Sequence, residues 1–178
     1  MLTKLKLSLN IKLFMIRHAS SDKIILGIDP GIADTGFGVI KEKNHSLTCL
    51  AYGTIKTPAG IELGDRLEII SLKLSEIIKK YKPNLAAVEE LFFCNNAKTA
   101  LIVGQARGVT LLTIRQNQIR CLEFTPFQVK QAVSTYGHAG KDQVQRMVKL
   151  ILNLKELPRP DDAADALAIA ICAVNSAN

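Results

Sequence analysis

No stretch of the chain approaches eighteen consecutive apolar residues, and even the run 167–174 is short and follows the acids Asp161, Asp162 and Asp165. A membrane-spanning helix is therefore not expected. No CxxC pair occurs either, because Cys49, Cys94, Cys121 and Cys172 stand 45, 27 and 51 residues apart. That excludes a zinc-knuckle pattern and makes reduced, mostly buried thiols the expectation. Linkers, internal repeats and low-complexity tracts are absent between residues 24 and 178. A chain of 178 residues, 48% hydrophobic and 22% charged, is thus read as one globular domain that buries most of its folding surface without staples.

Acid is the scarcer charge. Lysine and arginine number 23 against 16 aspartates and glutamates, a net charge of +7, which raises a phosphate-backbone partner without establishing one. Residues 1–22 carry Lys4, Lys6, Lys12 and Arg17 against Asp22 alone, so this head holds +3 and the other 156 residues +4. It reads as a basic N-terminal extension, disordered or outside the fold, with the domain spanning 23–178. Three origins compete for it: an upstream start or disordered tail, with Met15 as an alternative start; a processed targeting segment; or a nucleic-acid contact that orders on binding. A secretory signal fits poorly, since Lys12 and Arg17 interrupt and follow its apolar run.

The segment IILGIDP (24–30) is an apolar run ending in an acid and a turn, as a central strand delivering Asp29 at its edge would be. Gly36–Ile40 and Leu47–Lys56 predict two more strands around a polar turn at 41–46, completing a three-stranded meander. Leu63, Leu67, Ile70, Leu74, Ile77 and Ile78 recur at helical spacing as far as Tyr81. Pro83 and Asn84 break that helix, and Leu85–Val88 predicts a short strand ending at Glu89 and Glu90. Further along come a helix over 97–115, a strand over 119–123 and a helix starting near Pro126. His138 follows in a turn between Gly137 and Gly140, then a helix through Val144–Ile151 and a last one over 162–174. That final helix is apolar on most faces, so it should pack against the sheet.

Two strand-ending acids and a helix offering Asp162 and Asp165 bring carboxylates from three elements. The i,i+3 spacing of Asp162 and Asp165 puts both on one helix face, and the alanines between them allow close approach to the sheet. Carboxylates so gathered repel unless hard cations neutralise them, and oxygen ligands suit magnesium or manganese. Two such ions could clamp a phosphodiester, one activating water and one stabilising the leaving oxygen. Bland alternatives stand beside this: Asp29 as a turn former before Pro30, Asp161 and Asp162 as helix-starting acids. Glu89 and Glu90 alternate faces, so at most one joins the cluster, and the pattern alone favours Glu89 only slightly.

Glycines after the first strand admit a phosphate-loop reading, but GxxxxGK[ST] is missing and no helix follows, so dinucleotide binding is not expected. From Lys98 to Lys149, Lys98, Arg107, Arg115, Arg120, Lys130, Lys141, Arg146 and Lys149 face only Glu123 and Asp142, which is +6 in 52 residues. This stretch is expected to rim the acidic cluster against a polyanion, with Lys130 and Lys141 closest. Phe92 and Phe93 read as core or as a wedge against a base, core being favoured on their own. His138 is idle or a proton relay, and Tyr136 is equally open.

The segments ILGIDPG with TGFGVI, VEELFFCNNAKTALIVGQARGV, FQVKQAV to GKDQVQRMV, and PDDAADALAIAI resemble the RuvC family of Holliday junction resolvases, over most of residues 24–173. The resemblance implies an α/β, ribonuclease-H-like three-layer fold with a five-stranded mixed sheet flanked by helices. It assigns metal binding and catalysis to Asp29, Glu89, Asp162 and Asp165, choosing Glu89 over Glu90. It gives Lys130 and Lys141 contacts near the scissile phosphate, Lys141 also a catalytic part, and Phe92 a stacking role at the opened junction. Arg107 is expected to touch DNA, and Phe127, where many relatives carry a small or polar residue, to pack locally. The family implies a cytoplasmic homodimer that nicks two opposing strands of a four-way junction, leaving 5'-phosphate and 3'-hydroxyl ends. It further implies Mg2+, two ions per site, with Mn2+ able to substitute, and work alongside RuvA and RuvB in recombination and repair. Three competitors are weighed against it: an actin-like phosphotransferase, whose second domain this length lacks; a non-enzymatic junction binder; and a ribonuclease acting on structured RNA.

Overall fold

The computed structural model describes residues 22–90, 97–134 and 137–176. Strands β1 (Lys23–Asp29), β2 (Asp34–Lys43) and β3 (Ser46–Lys56) lead into helix α1 (Leu63–Tyr81); β4 (Leu85–Glu89), α2 (Ala97–Gln116) and β5 (Arg120–Phe124) follow. The chain ends with α3 (Pro126–Ser134), α4 (Lys141–Ile151) and α5 (Asp161–Ser176). The sheet has the order β3-β2-β1-β4-β5. The β1/β2 and β2/β3 pairs are antiparallel, and β1/β4 and β4/β5 are parallel. This is the expected three-layer α/β architecture with a five-stranded mixed sheet. No helix among the described residues is long and apolar enough to cross a membrane.

The meander is longer than the sequence suggests. β2 runs from Asp34 to Lys43 because the turn is only Asn44 and His45, both at positive φ (49° and 61°), the backbone of a tight hairpin. Lys41 and Lys43 thus belong to the strand. Both lie beside Asp22, the residue before β1, at 2.5 and 4.0 Å. Helix α1 stops where Lys82 turns left-handed (φ 49°) and donates its N–H to the Ile78 carbonyl. Asn84 then enters the sheet by pairing with Ile24: its N–H donates to the Ile24 carbonyl at 2.8 Å, and its side-chain oxygen accepts from the Ile24 N–H at 2.9 Å.

Strand alternation splits the core in two. Leu26, Ile28, Val39, Ala86 and Val88 face α1 and α2, where Ile70, Leu74 and Ile78 meet them. Ile25, Ile40, Leu85 and Ala87 face α5, α3 and α4. Helix α5 is buried nearly all round between the sheet and α3/α4, with Leu167 and Ile169 at most 1% exposed. It sits unusually close to the strands. A Cβ on Gly27 of β1 would land on the Ala166 carbonyl oxygen, and one on Gly36 of β2 on that of Asp162, so these two positions require glycine for backbone contact.

Candidate active site

Period-2 alternation decides which acids can meet. Asp29 follows Ile25 and Gly27 on the α5 face of β1, and Glu89 follows Leu85 and Ala87 on the same face of β4. The parallel register pairs Ile25 with Leu85 and Ile28 with Val88, which brings the two strand-ending acids side by side. Glu90 stands beyond the strand, its N–H bonded to the Phe124 carbonyl at 2.8 Å. Asp29 is also the antiparallel partner of Gly36, the residue on which the first turn of α5 rests. Contact between Gly36 and the Asp162 backbone therefore brings Asp162, and Asp165 one turn on, to the strand-end acids.

The electrostatics record the gathering. Burial, then the charges of Glu89, Asp165 and Asp162, push the Asp29 carboxyl up to about 7 against the pull of Lys141. Burial and the charge of Asp165 likewise push Glu89 up to about 7, against Lys130. Burial raises Asp165 as well, Lys141 opposing. Both lysines border the acids: Glu89, Asp165, Lys130, Lys141, Pro126 and Val129 line a cleft of about 170 Å³. Lys141 is the first residue of α4, where the helix dipole disfavours a cation by roughly 0.3–1 kcal/mol. Burial also opposes its charge, yet the carboxylates of Asp165 and Asp161 outweigh this and hold its pKa above the ordinary value.

Among the described residues no three of these groups close on a common point as a ready metal cage. The donor chemistry nonetheless fits a hard divalent cation: the donors are all carboxylate oxygens, borne on three elements, and burial together with the neighbouring acids pushes two of them up to about 7. A cation there would relieve the repulsion that burial amplifies.

The +6 segment is not one rim. Arg115 ends α2 and Arg120 begins β5 opposite Leu85, so both lie at the other end of the parallel strands from Glu89. They are neighbours along the chain of the other basic residues, but the direction of β5 separates them in space. Arg107 is committed internally: its Nε donates to the Glu89 carbonyl at 3.1 Å, and its guanidinium pairs with the Glu123 carboxylate, clamping the ends of β4 and β5. Phe127 packs locally, edge-on to His138 with ring centroids 5.6 Å apart and against Gly137. Phe92, Phe93 and Tyr136 lie outside the described residues, as do residues 1–21.

Three groups escaped the sequence reading. Gln145, 2% exposed, donates to Asp161 at 3.0 Å; its i,i+4 spacing from Lys141 was the available signal. Arg66 donates to Thr57 Oγ1 (2.8 Å) and to the Ile32 carbonyl (3.2 Å), bracing the turn after Asp29. Gly27 and Gly36 read only as strand glycines until α5 is in place.

The family model described as crossover junction endodeoxyribonuclease RuvC matches residues 25–173. The RuvC crossover junction endodeoxyribonuclease of Halothermothrix orenii is 54% identical over 153 residues, 86% of this chain and 93% of that protein. That of Caldanaerobacter subterraneus subsp. tengcongensis is 49% identical over 154 residues, 86% and 93% of the two chains. The structure of T. thermophilus RuvC in complex with Holliday junction substrate matches with a TM-score of 0.83 at 37% identity, covering 87% of this chain and 94% of that one. The yeast mitochondrial Holliday junction resolvase Ydc2 shares the fold, with a TM-score of 0.64 at 15% identity over 84% of this chain and 77% of its own.

Proposed function

This chain belongs to the RuvC family of crossover junction endodeoxyribonucleases, a family of metal-dependent nucleases, and from that premise we propose how it resolves four-way DNA junctions. It hydrolyses one phosphodiester in each of two opposing strands, symmetrically, leaving 5'-phosphate and 3'-hydroxyl ends, in recombination and repair. The observation that carries the reading is the convergence of Asp29 and Glu89, at adjacent parallel strand ends, with the α5 acids beside a cleft bordered by Lys130 and Lys141.

In this reading Asp29, Glu89, Asp162 and Asp165 hold Mg2+, two ions per site, Mn2+ being an adequate substitute. When bound, such ions activate water and neutralise charge on the phosphate. The chain's own groups do the rest. Lys130 and Lys141 hold the scissile phosphate against the carboxylates, and Lys141 stabilises charge as the bond breaks. The apolar wall of Pro126 and Val129 limits water in the cleft. Arg107 fixes the end of β4 that bears Glu89, and so acts on DNA through Glu89. Phe92 stacks on a base at the opened junction.

The working unit is a homodimer in the cytoplasm, acting with RuvA and RuvB; residues 1–22 are an extension to the nuclease domain. Two sites related by a two-fold axis match the two-fold symmetry of the junction. The outer stripe of α2 supports self-association: Leu101 and Leu112 are 71% and 56% exposed, and Gly108 between them has open space over its Cα. A second copy of this stripe crossing at Gly108 would cover both leucines.

The test is a denaturing map of strand scission on a mobile four-way junction with magnesium, beside RNA–DNA hybrid and structured RNA in the same buffer. Paired nicks at symmetric positions on the junction are expected. An intact junction that the protein still binds would overturn the reading.

A further inference from the structure

We propose that Asp161, the acid that precedes the α5 pair, is a positioning residue that docks Lys141 at the edge of the cleft. The proposal rests on the reading of Lys141 and Asp165 as site residues. The Lys141 ammonium stands 3.3 Å from Asp161 Oδ2 and 3.5 Å from Asp165 Oδ2, bridging the two.

Asp161 does not depend on Lys141 for its own position. Its other oxygen, Oδ1, accepts from Gln145 Nε2 at 3.0 Å and from Arg159 Nη1 at 2.7 Å. Gln145 is a buried amide, 2% exposed, on the same face of α4 as Lys141 and one turn further along. The carboxylate is thus divided, one oxygen held by the scaffold and the other presented to the lysine. An acid that merely starts a helix is served by backbone N–H groups and the dipole; it requires no buried amide behind it. Nor is the pair a source of stability, because Lys141 and Asp161 side chains are 52% and 41% exposed and ion pairs so exposed contribute little.

The arrangement has a use at the site. A lysine held by Asp165 alone would compete with a cation for that carboxylate. A lysine held also by Asp161 keeps an anchor when Asp165 turns to another partner, and remains where the phosphate arrives.

A double-mutant cycle of Asp161→Asn and Lys141→Ala in the full chain tests this, with single-turnover cleavage of a four-way junction and Mn2+ binding followed by electron paramagnetic resonance. Asp161→Asn is expected to slow cleavage about tenfold and to weaken Mn2+ binding by a similar factor, as Lys141 falls back on Asp165. Both effects should vanish in the Lys141→Ala background. Equal losses in both backgrounds overturn the proposal while leaving the site reading intact; a Lys141→Ala protein that cuts normally overturns both. Should Asp161→Asn fail to fold, Gln145→Leu removes the amide that aims the carboxylate and carries the same expectation.

Discussion

The two faces of the sheet are packed by different means. Toward α1 and α2 the layer between sheet and helix is made of large aliphatic side chains, Leu26, Ile28, Ile70 and Leu74, all fully buried. Toward α5, glycines on β1 and β2 let helix backbone touch strand backbone, and the helix offers mostly alanine. A large side chain fully buried in that first layer contributes about 1.5–3 kcal/mol through its apolar area. The second gives up that area to bring Asp162 and Asp165 toward two strand-end acids, whose carboxyl pKa values are raised chiefly by burial and further by the neighbouring acids. The close backbone contacts lie on the side that carries the chemistry.

Substitutions on either side can break this contrast. Asp29→Asn should lower cleavage of a four-way junction about a thousandfold, equivalent to about 4 kcal/mol of transition-state stabilisation, while a gel-shift assay without cutting shows the junction still bound. Gly27→Val forces a branched side chain into the α5 backbone; urea unfolding should show a loss of roughly 3 kcal/mol, with cleavage lost even where the protein remains folded. Leu74→Ala, on the opposite face, should cost about 2–4 kcal/mol by the same measurement yet leave the cleavage rate unchanged well below the melting temperature. Loss of cutting in a folded Leu74→Ala protein would mean that the two faces are not separable.

The smallest effect is a pH dependence. Folded Asp29 and Glu89 hold their protons to about 7, whereas unfolded carboxyls release them near 4. Folded protein thus binds more protons between those values, and its stability falls as pH rises from about 4 to about 7, then levels. Asp161 and Asp22, lowered chiefly by the Gln145 and Lys41 hydrogen bonds, work in the opposite direction at lower pH, but both are exposed and count for little. Thermal midpoints without divalent ions should show the decline, Asp29→Asn should reduce it, and added Mg2+ should restore the midpoint at pH 8.

Much of this was legible along the chain because it depends on local period. The run 24–30, the spacing from Leu63 to Ile78 and the i,i+3 acids of α5 each carry their own geometry, and every expected element is present with ends moved by a few residues. The hairpin misled because Asn44 and His45 take left-handed backbone without glycine, so the polar stretch around them resembled a longer loop. Basic residues misled for a different reason. Charge counted along a sequence carries no direction, and β5 leaves Arg115 and Arg120 at the far end of the sheet.

Which residues are acids, which faces are apolar and which segments become strands or helices follow from the chain locally, since alternation and helical spacing arise from the backbone within a few residues. Which acids meet depends instead on how distant segments pack. The parallel register of β1 and β4 sets Glu89 beside Asp29, the glycine contacts seat α5 over them, and Asp161 is turned toward Lys141 by a glutamine 16 residues away. Those choices rest on packing between segments distant in the chain, which no local pattern encodes.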